Sequence, residues 1–83
     1  MPFDIFLRGI AMIDLPASIK KVRTEKGFTQ KQVAQILGIA EQAYQRYEYG
    51  KTVPSALMLV ALADAFEVSL DYLVGRSDDP AVR

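Results

Sequence analysis

The apolar residues between positions 29 and 49 recur at the spacing of two short helices separated by a turn. Val33, Ala34 and Leu37 share one side of the first helix, because helical side chains three and four apart lie together. Gly38 follows them, and glycine accepts the positive φ that commonly ends a helix. The second helix is predicted from about residue 40 to 49. Its inward positions are Ile39, Tyr44 and Tyr47.

The start of the first of these helices carries a capping signal. Thr29 precedes the apolar repeat and Gln32 lies three residues later, as in a capping box. Ala34 is small, so the two helices can cross closely. Two helices joined by a short glycine-containing turn are the arrangement that places a second helix in the major groove of DNA.

Further amphipathic segments flank this pair. Pro16 favours the first turn of a preceding helix, whose inner face carries Ile19, Val22 and Arg23. Ser69 is a candidate cap for a short last helix. No strand pattern or internal repeat accompanies them. Counted along the whole chain, the pair described above forms the second and third helices. The predicted spans of the others are 16–26 for the first helix, 54–66 for the fourth and 70–74 for the fifth.

The composition limits what the chain can do. Its 83 residues form one small domain with a single modest core. The chain has no cysteine and no histidine, so it lacks thiolate nucleophiles, sulfur ligands and the commonest general base. We therefore expect neither an enzyme nor a metal site nor a cofactor, and we expect the protein in the cytoplasm.

The charges are distributed unevenly although the net charge is zero. Residues 18–51 carry seven basic side chains and three acidic ones, whereas residues 52–83 carry two basic and five acidic ones. Most DNA-binding domains are basic, so this local excess keeps nucleic acid as a candidate partner. The alternative is that these lysines only solvate helix surfaces. We expect modest affinity for each monomer.

The two ends are predicted to lie outside the main domain, which spans residues 15–75. Residues 1–14 are apolar but too short to cross a bilayer, and they lack the features of a signal peptide. Three interpretations stay open for them: a disordered extension, an arm that packs on the domain or a partner, or a start that truly lies at Met12. Residues 76–83 are predicted to be a polar, frayed tail.

Four segments in this order resemble the helix-turn-helix family of phage repressors and Cro-like proteins. They are KGFTQKQVA, LGI, YEYGKTVPS and VSLDYLVG, and the resemblance covers about residues 19–74. It implies an all-α, lambda-repressor-like domain of five short helices that binds double-stranded DNA.

The resemblance also implies the side chains that contact DNA. The exposed face of the third helix meets the base edges in the family, and the start of the second helix meets phosphates. The implied base contacts are Glu41, Gln42, Gln45 and Arg46. The implied phosphate contacts are Thr29, Gln30, Lys31, Tyr49 and Lys51.

Three residues depart from what the family commonly carries. Ala40 and Ala43 stand where relatives often have a hydroxyl for capping or for the DNA backbone. Glu41 is acidic in a groove lined with phosphates. It either complements the dipole at the helix start or accepts a hydrogen bond from a cytosine amino group.

Arg23 and Glu48 occupy positions where related domains carry an ion pair between the first helix and the end of the third. A lone glutamate with no histidine or second carboxylate has no partner for catalysis. We therefore predict a structural ion pair that fixes the tilt of the third helix.

The fourth helix is apolar on nearly every side. Its core face is predicted to carry Ala56, Leu59, Leu62, Ala63 and Phe66. A second apolar side indicates a partner or an intramolecular cover, from residues 1–14 or the tail. We favour a homodimer interface that is aided by Phe3, Ile5 and Phe6. The interface residues are Leu57, Met58 and Ala61.

The leading prediction is a bacterial or phage transcription regulator, most simply a repressor that binds an inverted-repeat operator as a homodimer. A restriction–modification controller is possible within that class. The alternative class is a protein-interaction module, such as the antitoxin of a toxin–antitoxin pair with a small protein partner.

Overall fold

The computed structural model describes residues 13–82, which form five α-helices and no strand. The all-α fold predicted from the sequence is confirmed. The interpretations of residues 1–12, including Phe3, Ile5 and Phe6, lie outside the described residues. The helices are α1 (Leu15–Glu25), α2 (Gln30–Leu37), α3 (Glu41–Glu48), α4 (Ala56–Phe66) and α5 (Leu70–Leu73).

Local capping explains where most of these helices begin. α1 starts one residue before the predicted Pro16, because Asp14 accepts a hydrogen bond from the Ala17 amide at 3.2 Å. At α2 the predicted capping box is present. The Gln32 amide donates to Thr29 Oγ1 at 3.0 Å, and the Thr29 amide donates to Gln32 Oε1 at 2.9 Å.

The turn between α2 and α3 is as tight as the spacing predicted. Gly38 ends α2 with φ of 71°, a left-handed conformation that side chains with a Cβ rarely adopt. The Ile39 amide then donates to the Ala34 carbonyl at 3.0 Å, so the chain reverses directly over the small Ala34.

The core is a single cluster that draws on every helix. α3 packs against α1 and α2, α2 also packs against α4, and α5 packs against α4 and α1. A core shared in this way fixes the angle between α2 and α3. The buried apolar residues are Ile19, Val22, Val33, Ala34, Tyr44, Leu62, Ala63, Phe66, Val68 and Leu73.

The start of α4 departs from the prediction. The helix begins at Ala56 and not at Pro54, with Ser55 as its N-cap. Ala56 is exposed, so its assignment to the core face is wrong, whereas Leu62, Ala63 and Phe66 are buried. At this end of α4 the core contacts are made by the half-buried Met58 and Leu59, and the buried residue is Pro54 in the preceding loop.

Residues 76–80 make hydrogen bonds to the start of α5 and its preceding residue, whereas the sequence predicted that the tail is frayed. The Ser69 amide, which no helical carbonyl can satisfy at a helix start, donates to the Pro80 carbonyl at 3.0 Å. The Arg76 amide donates to the Asp71 carbonyl at 2.8 Å. These bonds hold residues 76–80 against the start of α5.

No helix in residues 13–82 combines the length and the apolar character that a bilayer crossing requires.

Candidate nucleic-acid interface

α3 presents a polar surface on the side opposite to its core contacts. Tyr44 and Glu48 are its buried residues. We call the four outward positions the recognition face. Three of them are exposed and Gln45 is half-buried. The recognition face consists of Glu41, Gln42, Gln45 and Arg46.

α3 begins without a side-chain cap. Ala40 occupies the N-cap position with φ of −65° and ψ of 145°, the extended conformation that capping residues adopt, but alanine has no oxygen to accept from the helix amides. Glu41 is the acidic residue of the first turn, where a negative charge interacts favourably with the helix dipole.

An ion pair joins the end of α3 to α1. Arg23 Nε lies 2.6 Å from Glu48 Oε2, and Arg23 Nη2 lies 3.1 Å from Glu48 Oε1. The Arg23 side chain is 12% exposed and the Glu48 side chain 0%. Arg23 Nη1 also donates to the Phe28 carbonyl at 2.9 Å, just before α2. The Arg23 guanidinium therefore links three parts of the chain: α1, α3 and the loop that precedes α2.

Two further side chains complete the hydrogen bonding of Glu48. The Tyr44 hydroxyl donates to Oε2, and Gln30 Nε2 donates to Oε1 at 3.0 Å. Burial alone would raise the pKa of Glu48, but the hydrogen bonds from Arg23, Tyr44 and Gln30 outweigh it and hold that pKa below its ordinary value. Glu48 is therefore ionised at neutral pH. This is a structural carboxylate with four donors.

The same chain of hydrogen bonds reaches the recognition face. Gln30 Oε1 accepts from Gln45 Nε2 at 3.3 Å, and that nitrogen also donates to Glu41 Oε2 at 3.3 Å. The side chain of Gln30, which the resemblance implied as a phosphate contact, is thus bonded to two other side chains of the protein. The pattern of residue types gave no signal for this, because the partners are 15 and 18 positions away.

The other implied phosphate contacts lie at the two ends of the helix pair. Thr29 and Lys31 are exposed at the start of α2, where backbone amides favour an anion. Tyr49, with 61% exposure, and Lys51 follow the end of α3. These positions flank the recognition face on both sides.

Arg46 is oriented by a residue that the sequence did not single out. Its Nε donates to Thr52 Oγ1 at 3.1 Å, and the Thr52 amide donates back to the Arg46 carbonyl at 3.2 Å. Within residues 13–82, neither terminal nitrogen of this guanidinium has a hydrogen-bond partner. Both are available for an external acceptor.

Part of the basic excess serves the fold. Lys21 lies 3.6 Å from the Glu25 carboxylate and 4.9 Å from the centre of the Tyr72 ring. The Tyr72 hydroxyl donates to Glu25 at 2.7 Å. These contacts tie α1 to α5, and the Lys21 charge is paired with the Glu25 carboxylate.

A second surface of the domain is apolar. Leu57 is 83% exposed and Val60 45% exposed on α4, and Val53 is 81% exposed just before it. Met58 and Ala61, predicted with Leu57 as an interface, are half-buried, and Met58 packs against the core. We call Val53, Leu57 and Val60 the α4 apolar patch.

The described residues contain no cluster of acidic, histidine or cysteine side chains that could hold a metal ion. The shallow groove of about 290 Å³ beside α4 and α5 is open to solvent and lined by mixed side chains, among them Val60, Asp64 and Leu70. It is not an enclosed ligand pocket.

Comparison with known proteins identifies the family. The helix-turn-helix family model matches residues 19–73. An SPbeta prophage-derived uncharacterized HTH-type transcriptional regulator, YonR of Bacillus subtilis, is 43% identical over 56 residues, which cover 68% of this chain and 52% of that protein. The cryptic phage CTXphi transcriptional repressor RstR of Vibrio cholerae is 46% identical over 48 residues, covering 58% of this chain and 43% of that protein.

A solved structure has the same fold. A transcriptional regulator from Listeria innocua superposes with a TM-score of 0.68 and 27% identity, covering 81% of this chain and 63% of that one. The chain spans about half the length of the curated relatives it matches. The resemblance noted from the sequence is confirmed, and these relatives are named as regulators and not as enzymes.

Proposed function

Since this chain belongs to the Cro/C1-type helix-turn-helix family, we propose that it is a DNA-binding transcription regulator that inserts α3 into the major groove. The observation that carries the proposal is the recognition face: polar side chains project outward from a short helix whose inner side is held by a buried ion pair. Repression by occupying an operator is the simplest mode of action, in the cytoplasm and without a cofactor.

The proposed contacts divide by chemistry. Arg46 pairs its two terminal nitrogens with a guanine edge, and Gln42 pairs with an adenine edge. Thr29, Lys31 and the residues after α3 hold the phosphates on either side. Gln30 contributes through its neighbours, because its side-chain amide is bonded within the protein.

We further propose that the regulator acts as a homodimer on an inverted repeat. Leu57 and Val60 are both exposed and lie three residues apart on α4, and exposed apolar side chains that adjoin one another favour association. The half-buried Met58 and Ala61 border it. Two copies related by a two-fold axis would bind half-sites about 34–36 Å apart, and their binding energies would combine.

The DNA-binding proposal is tested by selection from a randomised duplex pool at two salt concentrations. The wild-type chain is expected to enrich an inverted repeat, and Arg46→Ala is expected to relax the preference at one base pair in each half-site. Arg76→Ala removes an exposed arginine beyond α5 and serves as the matched control. Weak, salt-sensitive binding without an enriched site would contradict a sequence-specific regulator and favour the interaction-module alternative.

The dimer proposal has its own test in sedimentation velocity. Leu57→Glu is expected to give a folded monomer, because a charge at this exposed position of the patch opposes burial. Ile36→Glu places the same charge at another exposed apolar residue, on α2, and should leave the association unchanged. A Leu57→Glu variant that stays dimeric would place the interface elsewhere.

A further inference from the structure

We infer that Gln45 offers DNA only its carbonyl oxygen, and that it therefore selects a base carrying an exocyclic amino group, adenine at N6 or cytosine at N4. This inference rests on the proposed DNA-binding function. It assigns to Gln45 one of the two jobs, donor or acceptor, that a glutamine can perform. The inference is based on the hydrogen bonds that link the side chain of Glu48 to Gln30 and that of Gln30 to Gln45.

The first step is the direction of the Gln30 amide. An ionised carboxylate only accepts hydrogen bonds. Glu48 is held ionised by Arg23, with Nε at 2.6 Å, so the group that Gln30 places 3.0 Å from Glu48 Oε1 must be its NH₂. The Gln30 carbonyl oxygen then points away from Glu48. The charge of one buried residue sets the orientation of an amide that it touches.

The second step passes this orientation to Gln45. The outward Gln30 Oε1 requires a donor, and Gln45 Nε2 lies 3.3 Å from it. Gln45 Nε2 also lies 3.3 Å from Glu41 Oε2, a second acceptor. The two N–H bonds of the Gln45 amide therefore have one protein acceptor each.

The reversed orientation of Gln45 is disfavoured by the same neighbours. Rotating the amide by half a turn would place its oxygen against the Gln30 carbonyl and the Glu41 carboxylate, leaving three acceptors together without a proton between them. In the observed orientation, Gln45 Oε1 has no hydrogen-bond partner among residues 13–82. The half-buried side chain is held with an acceptor available for an outside donor.

The consequence is a narrower base preference than glutamine usually shows. A glutamine that pairs with adenine through two bonds donates to N7 and accepts from the N6 amino group. Gln45 has only the accepting half available. Its contact should therefore depend on the amino group of the base and should not depend on N7.

Base analogues separate these two dependences. Selection with Gln45→Ala first identifies the base pair whose preference is lost. If that base is adenine, replacing it with purine, which lacks the amino group, should weaken wild-type binding about five- to tenfold, the effect of one hydrogen bond. Replacing it with 7-deazaadenine, which lacks N7, should leave binding unchanged. If the base is cytosine, pyrimidin-2-one removes the amino group, and the same loss is expected. None of these base replacements should change DNA binding by the Gln45→Ala variant.

Removing the hydrogen-bonding groups of Gln30 tests whether this residue orients the Gln45 amide. Gln30→Met keeps the length of the side chain but removes its amide, so Gln45 loses one of the two acceptors that orient it. In this variant, removing the amino group of the base should reduce DNA affinity less than it does for the wild type. At an adenine site, replacing N7 should reduce the affinity, because the freed Gln45 amide can then donate to N7. Gln35→Met, at an exposed position of the same helix, is the control and should behave as wild type.

The outcomes distinguish this inference from the proposed function. Failure of the wild-type chain to enrich any sequence would remove the proposed function, and with it the inference. Enrichment of a site at which Gln45→Ala changes no base preference would overturn the inference alone. So would equal losses on removing N7 and the amino group, or a Gln30→Met variant that responds to the analogues as wild type does.

Discussion

α2 and α3 have the same length but are stabilised in different ways. Both contain eight residues. α2 begins with a complete capping box and buries the apolar Val33 and Ala34. α3 begins at Ala40 with no side-chain cap and buries Tyr44 and the charged Glu48. The start of α2 is stabilised by a local cap in its own sequence, whereas the start of α3 has none and this helix depends more on residues elsewhere in the chain.

This difference matters for recognition. A short isolated helix is marginal in water, so α3 owes its position to its tertiary contacts. One of these, the buried contact of Arg23 with Glu48, also orients Gln30 and through it Gln45. The contacts that hold α3 in place therefore also set the hydrogen-bonding groups of its outer face.

The largest expected effect is on the buried ion pair. Glu48→Ala removes the acceptor of Arg23, Tyr44 and Gln30, and breaking a buried pair of this kind costs about 3–5 kcal/mol. Urea unfolding measures the loss. Glu41→Ala, at an exposed glutamate of the same helix, should cost less than about 1 kcal/mol. A loss at Glu48 no larger than that at Glu41 would mean that the pair does not hold α3.

A second effect follows from the low pKa of Glu48. Because the folded state holds this pKa below the ordinary value of 4.5, the carboxylate stabilises the fold above pH 4.5. That contribution is lost as the pH falls through the lower pKa of the folded state. Glu48→Gln should therefore flatten the acid side of the stability profile measured by urea midpoints. An unchanged slope would assign the acid sensitivity to other carboxylates.

A smaller loss is expected at the start of α2. Thr29→Ala removes the acceptor of the Gln32 amide and should cost about 1 kcal/mol, the usual effect of losing an N-cap. Thermal unfolding is the measurement. Thr24→Ala is a suitable control, because the Thr24 hydroxyl bonds to carbonyls within α1 and caps no helix. Equal shifts of the unfolding temperature in the two variants would mean that the Thr29 cap does not stabilise the domain.

The smallest effect is a gain at the start of α3. Ala40 already has the backbone conformation of an N-cap, so Ala40→Ser should add a capping bond and stabilise the domain by about 0.5–1 kcal/mol. Ala43→Ser adds the same hydroxyl inside the helix and should give no such gain. A neutral Ala40→Ser variant would mean that the tertiary contacts already hold the start of α3, so that a capping hydrogen bond adds no stability.

Much of the site was predictable because helical geometry decides which residues share a face. The spacing of Glu41, Gln42 and Arg46 placed them on the outer side of α3, and all three are exposed. Their contacts with DNA remain predictions. The bonding of Gln30 and the orientation of Arg46 by Thr52 were not predictable, since each depends on where another segment of the chain comes to lie.

The sequence by itself indicated several amphipathic helices, because caps and glycine turns act between residues three or four positions apart, and the resemblance to the family implied that there are five. Thr29 with Gln32, and Gly38 after Leu37, are such local signals. Only the tertiary structure decided that Ala56 is exposed and that Pro80 folds back on Ser69. Burial and long-range hydrogen bonds depend on how helices pack, and that packing also couples Glu48 to the recognition face.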